Sequence, residues 1–380
     1  MRKLFQPDLI LVTKLFLSWI VVILIASSLA FFFVPLAGKN FLGGGFERYS
    51  SNSFLYSRAN FDGEHYLSIA QNGYQNLEHS FFPVYPMLMN FFAYPFGAEV
   101  FSLTISGIFI SNIALLLSLL ILWKLTRLDY SYEIGLSTLI LFLVFPTSFY
   151  LGVVYSESVF LLFTLTSFYF ARKKKWFLAS IFAAIASATR MFGLLIFPAL
   201  ILEAWQQKQS IKKVFSIILA PLGFFIYMYY QWYTVADPLA FYHQISSFGP
   251  QRQEGVTLLP QVYFRYIKIL LTTNIVNPIY QVNVFEFLVG ILYFFLPIYG
   301  YVKKVRLSYL FYSLTGFLLP TITGSFSSLP RYVLVLFPSF IVLALIVNKL
   351  PKLVRLLVYL VSVILLCFEA ILFLRGYWIA

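Results

Sequence analysis

The stretch "NFDGEHYLSIAQNGYQNLEHSFFPVYP", Asn60 to Pro86, contains Asp62, Glu64, His65, Glu78 and His79, and so two of the chain's three histidines. Charged residues make up only 11% of the sequence, so these titratable groups between aromatic runs mark a place where a proton could be moved. Asp62 admits two compatible readings. Its carboxylate, or the Asn60 amide, caps the helix that begins there. Alternatively, a carboxylate at the rim of an apolar cavity, with its proton affinity tuned by burial, takes a proton from an incoming hydroxyl. Leu67, Ala70 and Tyr74 recur at helical spacing, which predicts a short amphipathic helix with Asp62 at its start and Tyr66 one turn later on the same side. Gly73 is expected to stop this helix, and the two prolines of "FFPVYP" to break it and set an aromatic wall that includes Tyr85. Glu157 follows Tyr155 and Ser156 and opens an apolar run, where it caps a helix or orients Arg190 or an acceptor. Asp237, before Pro238, reads as a turn residue or as part of an acceptor site. His65 is a polar anchor at an interface or a hydrogen-bonding group for a substrate hydroxyl or phosphate.

The elements that must position these residues are apolar helices. Mean hydropathy is +0.84 and 61% of residues are hydrophobic, which places the chain outside the range of a water-soluble domain. A hydrocarbon core of about 30 Å takes about 20 apolar residues per helix. Runs of that kind recur, and "LSLLILWKL" and "LVYLVSVILLCFEAILFL" are apolar on every face, which excludes the alternation of a membrane barrel. The expected fold is all-α and polytopic, one integral membrane domain over 1–380. Eleven spans are expected at 10–34, 99–123, 134–154, 157–171, 176–189, 191–205, 214–234, 284–302, 307–323, 332–348 and 355–374. The first reads as a retained span rather than a cleaved signal. With the N-terminus inside, 17 of the 27 basic residues fall at the inner ends, among them those of the short connections "RKKK" and "KKVR", against nine outside. This accounts for much of the +13 net charge without any nucleic acid partner. Two long segments, 35–98 and 235–283, then lie outside, together with turns near Tyr155, Arg190 and Arg331. Cys367 is the one cysteine, which excludes an intramolecular disulfide. The glycines of "FLGGGF" precede no strand–helix unit and read as a flexible loop.

"FDGEHYLSIAQNGY" followed by "FFPVYP" resembles the first outer-loop signature of the PIG-V-type mannosyltransferases. "FPTSFYLGVVYSES", "SATRMFG", "ADPLAFYHQ" and "LPRYVLVLFP" resemble further segments of that family in the same order, over roughly residues 55–345. Two positions depart from its pattern: Phe61 stands where the family has Trp, and Ala236 stands where it has Gly. The resemblance implies a GT-C superfamily fold with its catalytic loop at 35–98 on the non-cytoplasmic side. It also implies a polyprenyl-phosphate sugar donor, a lipid or glycan acceptor, and an outer-loop Asp, here Asp62, as general base. An anionic donor phosphate calls for cations, for which Arg190 and Arg331 are the candidates. His65, Tyr66, Tyr85, Tyr155, Glu157 and Asp237 are expected to line the substrate site, the aromatic rings by stacking on sugars. The expected reaction is inverting transfer of mannose or a related sugar. A lipid-linked glycan flippase and an inactive scaffold subunit are the alternatives. No cofactor is expected; a loop-bound divalent ion is the less favoured choice. The expected location is a prokaryotic plasma membrane, or the endoplasmic reticulum if the chain is eukaryotic.

Overall fold

The computed structural model describes residues 2–244 and 255–379; part of the expected outer segment 235–283 therefore lies outside the described residues. Among those residues all regular structure is helical. Five helices are long and apolar enough to cross a membrane: Asp8–Phe33, Val100–Thr126, Ile211–Val235, Ile279–Val302 and Lys352–Leu374. A sixth crossing is formed if Leu329–Val335 and Phe337–Val347, bent by 91°, count as one span. The remaining expected spans are helices at the expected places but shorter than a full crossing, among them Tyr132–Leu143, Glu157–Arg172, Trp176–Ser187 and Leu307–Thr321. Length and composition therefore carry five or six crossings rather than eleven.

The shortening has a local cause. The expected span 134–154 stops at Leu143, ahead of Pro146, and continues as a tight turn of helix at Ser148–Gly152. The expected span 191–205 opens with a tight turn at Met191–Leu195 before its regular helix Ile196–Gln206. Pro338 stands at the start of Phe337–Val347, where the 91° bend falls. Irregular backbone at membrane depth persists only where it is buried in protein or lines a cavity. Here all three breaks converge on one cluster of charged side chains.

The Glu157–Arg172 helix is the axis of the bundle, packed against Val100–Thr126 on one side and Trp176–Ser187 on the other. Small residues allow the close approach: Ser111, Ala114 and Ser118 on one neighbour, Ala179, Ala183 and Ala186 on the other, all buried. Interhelical hydrogen bonds add to it, as when Ser167 Oγ donates to the Ala179 carbonyl at 2.8 Å.

Outside the bundle, the predicted amphipathic helix forms as Asp62–Asn72 and is ended by Gly73, whose φ of 75° a glycine adopts without strain. The expected cap is replaced by another arrangement. Phe61 precedes the helix at φ 56°, and Asp62 is the first helical residue. The Asn60 side chain instead accepts from Gly43 N–H at 3.0 Å and donates to the Phe373 carbonyl at 2.9 Å, pinning the loop to the end of the last helix. "FFPVYP" likewise starts a helix, Val84–Ala93, because a proline in the first turn has no hydrogen bond to lose.

Candidate active site

The ends of these elements on one side of the bundle bring together Asp62, Glu157, Arg190 and Arg331. Arg331 Nη1 donates to Asp62 Oδ2 at 2.6 Å, although 269 residues separate the two. Its Nε lies 3.6 Å from Glu157 Oε1, and Arg190 Nη1 approaches the same oxygen at 2.7 Å. Glu157 thus stands between two guanidinium groups at the N-terminus of its helix, where the helix dipole also favours an anion. Arg331 lies among three rings, with its guanidinium carbon 5.1 Å from the centre of Tyr332, 5.4 Å from Tyr155 and 5.5 Å from Tyr150. Arg190 lies 5.8 Å from the other side of Tyr332.

Two features make this site unlike a simple structural ion pair. Neither Glu157 oxygen receives a well-directed hydrogen bond, and Arg331 Nε has no acceptor among the described residues, although all three atoms are buried. Backbone strain sits next to Asp62: Phe61 adopts positive φ, a conformation that costs about 1–3 kcal/mol and persists only where surroundings enforce it. The Phe61 N–H donates to the Phe41 carbonyl at 2.9 Å, and its ring lies 5.8 Å from Phe373 and 5.5 Å from Trp378. Gly63, the next residue but one, packs close to Val154, whose N–H donates to the Arg58 carbonyl at 2.9 Å.

The remaining expected residues fall into three positions. Tyr66 adjoins the cluster: its hydroxyl shares a 2.8 Å hydrogen bond with Ser156 Oγ, to which Arg190 Nη1 also donates at 3.0 Å. Burial raises the Tyr66 phenol above its ordinary value, so it remains protonated. Tyr155 lies beneath, buried, donating to the Asn60 carbonyl at 2.9 Å while its ring faces Arg331. Tyr85 is fully buried one layer further in, its hydroxyl bonded to the Gly107 carbonyl and Ser111 Oγ, with its ring 5.0 Å from that of Tyr66. His65 stacks on Phe81 at 4.7 Å and approaches Glu78 at 3.8 Å. Asp237 sits apart on an exposed turn, where it accepts from Leu239 N–H at 2.9 Å and pairs with His243 at 2.7 Å. The hydrogen bond with His243 holds its carboxyl below the usual value. Ala236, the departure from the family's glycine, caps the preceding helix in the left-handed conformation a glycine would take without cost.

Sequence reasoning missed Tyr150, Ser156 and Tyr332 as members of the cluster. The adjacency of Ser156 to Glu157 and of Tyr332 to Arg331 was the available signal. Among the described residues no three His, Cys, Asp or Glu side chains gather as metal ligands; Glu64 is engaged by Gly45 N–H at 3.2 Å instead.

Broken apolar helices that converge on two acids and two arginines define a polytopic membrane protein with its polar groups gathered at one end of the bundle. The chain belongs to the mannosyltransferase (PIG-V) family, whose model matches residues 10–268. Asp62, Glu157 and Arg190 lie inside the matched region and Arg331 beyond it. Among solved structures the chain is similar to crystal structures of the Archaeoglobus fulgidus oligosaccharyltransferase. For the complex with Zn and sulfate, the TM-score is 0.45 and identity 14%, over 94% of this chain and 53% of that one. For the form tethered with an acceptor peptide, the TM-score is 0.43 and identity 14%, over 94% and 55%. The chain spans about half the length of that protein. No curated protein matches it.

Proposed function

We propose that this protein is an inverting glycosyltransferase that moves mannose, or a related sugar, from a polyprenyl-phosphate donor to a hydroxyl of a glycolipid or glycan acceptor on the non-cytoplasmic membrane face. The observation that carries the reading is the unequal exposure of the two acids: the Asp62 side chain is 24% exposed and that of Glu157 is 0%. An acceptor can reach the first and not the second.

In this reading Asp62 takes the acceptor proton as the acceptor oxygen attacks the anomeric carbon, and the bond from that carbon to the phosphate oxygen breaks. The donor phosphodiester carries one negative charge and leaves as a phosphate monoester with a second. The four-residue cluster is neutral beforehand and becomes positive by one when Asp62 is protonated. Arg331 loses its anionic partner in the same step, which frees it to hold the leaving phosphate with Arg190. Glu157 keeps both guanidinium groups in place, Tyr66 orients Arg190 through Ser156, and His65, one turn along the helix from Asp62, contacts the acceptor. No cofactor takes part. Family membership supports mannose as the sugar, and the basic inner connections support the outer face of a prokaryotic plasma membrane.

The test is to incubate purified protein with radiolabelled polyprenyl-phosphate mannose and a lipid extract of the source cells, and to determine the anomeric configuration of the product. Transfer with inverted configuration, unchanged by a chelator, is expected. Retained configuration, or transfer to no acceptor from any polyprenyl-phosphate sugar, would overturn the reading.

A further inference from the structure

Behind the aromatic floor of the candidate site lies a separate cavity of about 210 Å³. The first helix contributes Trp19, Ile23 and Ser27 to its wall, the last contributes Leu374, and Phe149 and Arg58 also line it. Phe149 packs tilted against Tyr150 at 4.4 Å and Phe373 at 5.1 Å between ring centres, and Tyr150 in turn lies under Arg331. A layer of rings therefore separates this cavity from Asp62.

Arg58 is the unusual member. It is 9% exposed, donates to the Phe54 carbonyl and to Ser27 Oγ, and stacks on the Phe54 ring at 4.3 Å. Arg172, Arg190, Arg306 and Arg331 each have a carboxylate partner. Among the described residues no carboxylate lies within ion-pair distance of Arg58, and burial, with nothing to offset it, lowers its proton affinity to about 10. It therefore remains charged at neutral pH, and a buried charge without a counter-ion is costly. The mouth of the cavity faces lipid: the apolar windows of the first and last helices are each only 17% buried, and Leu24 at the rim is 42% exposed.

We propose that this cavity binds one anionic glycerophospholipid from the leaflet on the Asp62 side, with its phosphate on Arg58 and the upper part of an acyl chain in the apolar space. The volume suits about seven groups of water size, a chain segment rather than a whole lipid. The ring layer keeps this lipid apart from the reacting groups, so it is a resident ligand and not the sugar donor. It braces the loop that carries Asp62, because the Arg58 carbonyl accepts from Val154 N–H at 2.9 Å and Asn60 is tied to Phe373 and Tyr155.

Native mass spectrometry after reconstitution in nanodiscs of phosphatidylglycerol, or separately of phosphatidylcholine, followed by detergent stripping, tests this. One phosphatidylglycerol per chain should survive stripping, with phosphatidylcholine retained at least tenfold less. Arg58→Gln should lower phosphatidylglycerol occupancy at least tenfold. Ile23→Trp, which fills the cavity and leaves Arg58 in place, should do the same without altering the thermal unfolding transition of the lipid-stripped protein, and it decides the matter if Arg58→Gln fails to fold. Equal retention of the two lipids, undiminished occupancy in Ile23→Trp, or a polyprenyl phosphate in place of the phospholipid in protein taken directly from its membrane would overturn the proposal.

Discussion

The Glu157–Arg172 helix carries a buried glutamate–arginine cluster at each end, and the two are built differently. At its C-terminal end, Arg172 meets Glu203 at 3.4 Å and Asp129 at 2.7 Å. Glu203 also accepts from Arg306 Nη2 at 2.7 Å, Arg306 Nε at 3.1 Å, Ser308 Oγ at 2.5 Å and Gln207 Nε2 at 2.6 Å. Both oxygens of that fully buried carboxylate are satisfied. At the N-terminal end Glu157 is equally buried, yet its two oxygens and the Nε of Arg331 lack well-directed partners. A saturated buried carboxylate fixes helices to one another; an under-satisfied one keeps hydrogen-bonding capacity for something that comes and goes. The same pair of residue types is thus a rivet at one end and under-satisfied at the other.

Removing the rivet should have the largest effect. Glu203→Ala leaves Arg172 and Arg306 without their shared anion and is expected to cost about 3–5 kcal/mol of stability, read from thermal unfolding in detergent. An unchanged transition would end the distinction between the ends. Glu157→Gln keeps the shape but not the charge: transfer per folded molecule should fall by about tenfold to a hundredfold, with a smaller loss of stability than at Glu203. If the two variants lost stability equally and activity not at all, the ends would be equivalent. Arg331→Lys retains a cation but not the planar group among Tyr150, Tyr155 and Tyr332, and should lower transfer by about tenfold. Full activity in that variant would mean that charge alone matters. Asp237→Asn serves as the exposed contrast, its pair with His243 being 36% and 52% exposed. Its effect on stability at neutral pH should stay below about 1 kcal/mol. Because the folded carboxyl is held below its ordinary value of about 3.9, this small contribution is present above that value and disappears as pH falls through the lowered one. A larger shift in the melting profile of Asp237→Asn, or one that grows towards acid, would contradict it.

Much of the candidate site was legible because charge is scarce in this chain: Asp62, Glu157, Arg190 and Arg331 stand out from apolar surroundings in the sequence alone. Their mutual pairing was not legible, since no local rule joins Asp62 to a residue 269 positions away. The aromatic neighbours were hidden for the opposite reason. With 20% of residues aromatic, nothing distinguished Tyr150 from the rings that face lipid, and only its place beside Arg331 marked Tyr332. Helix existence was readable from hydropathy, but helix ends were not. Window averages ran through Pro146 and the bend before Pro338, where the chain gives up regular helix around the polar cluster. Arg58 was not legible as unusual, because its lack of a carboxylate partner among the described residues is a property of the fold.

The central claim is that Asp62 is the base, and the most direct measurement compares label transfer from polyprenyl-phosphate mannose by the native protein and by Asp62→Asn at matched folded concentration. A loss of at least about a hundredfold with an unchanged unfolding transition is the predicted result. Transfer that survives the substitution would contradict the account and move the proton to another group, with Glu157 the next to test.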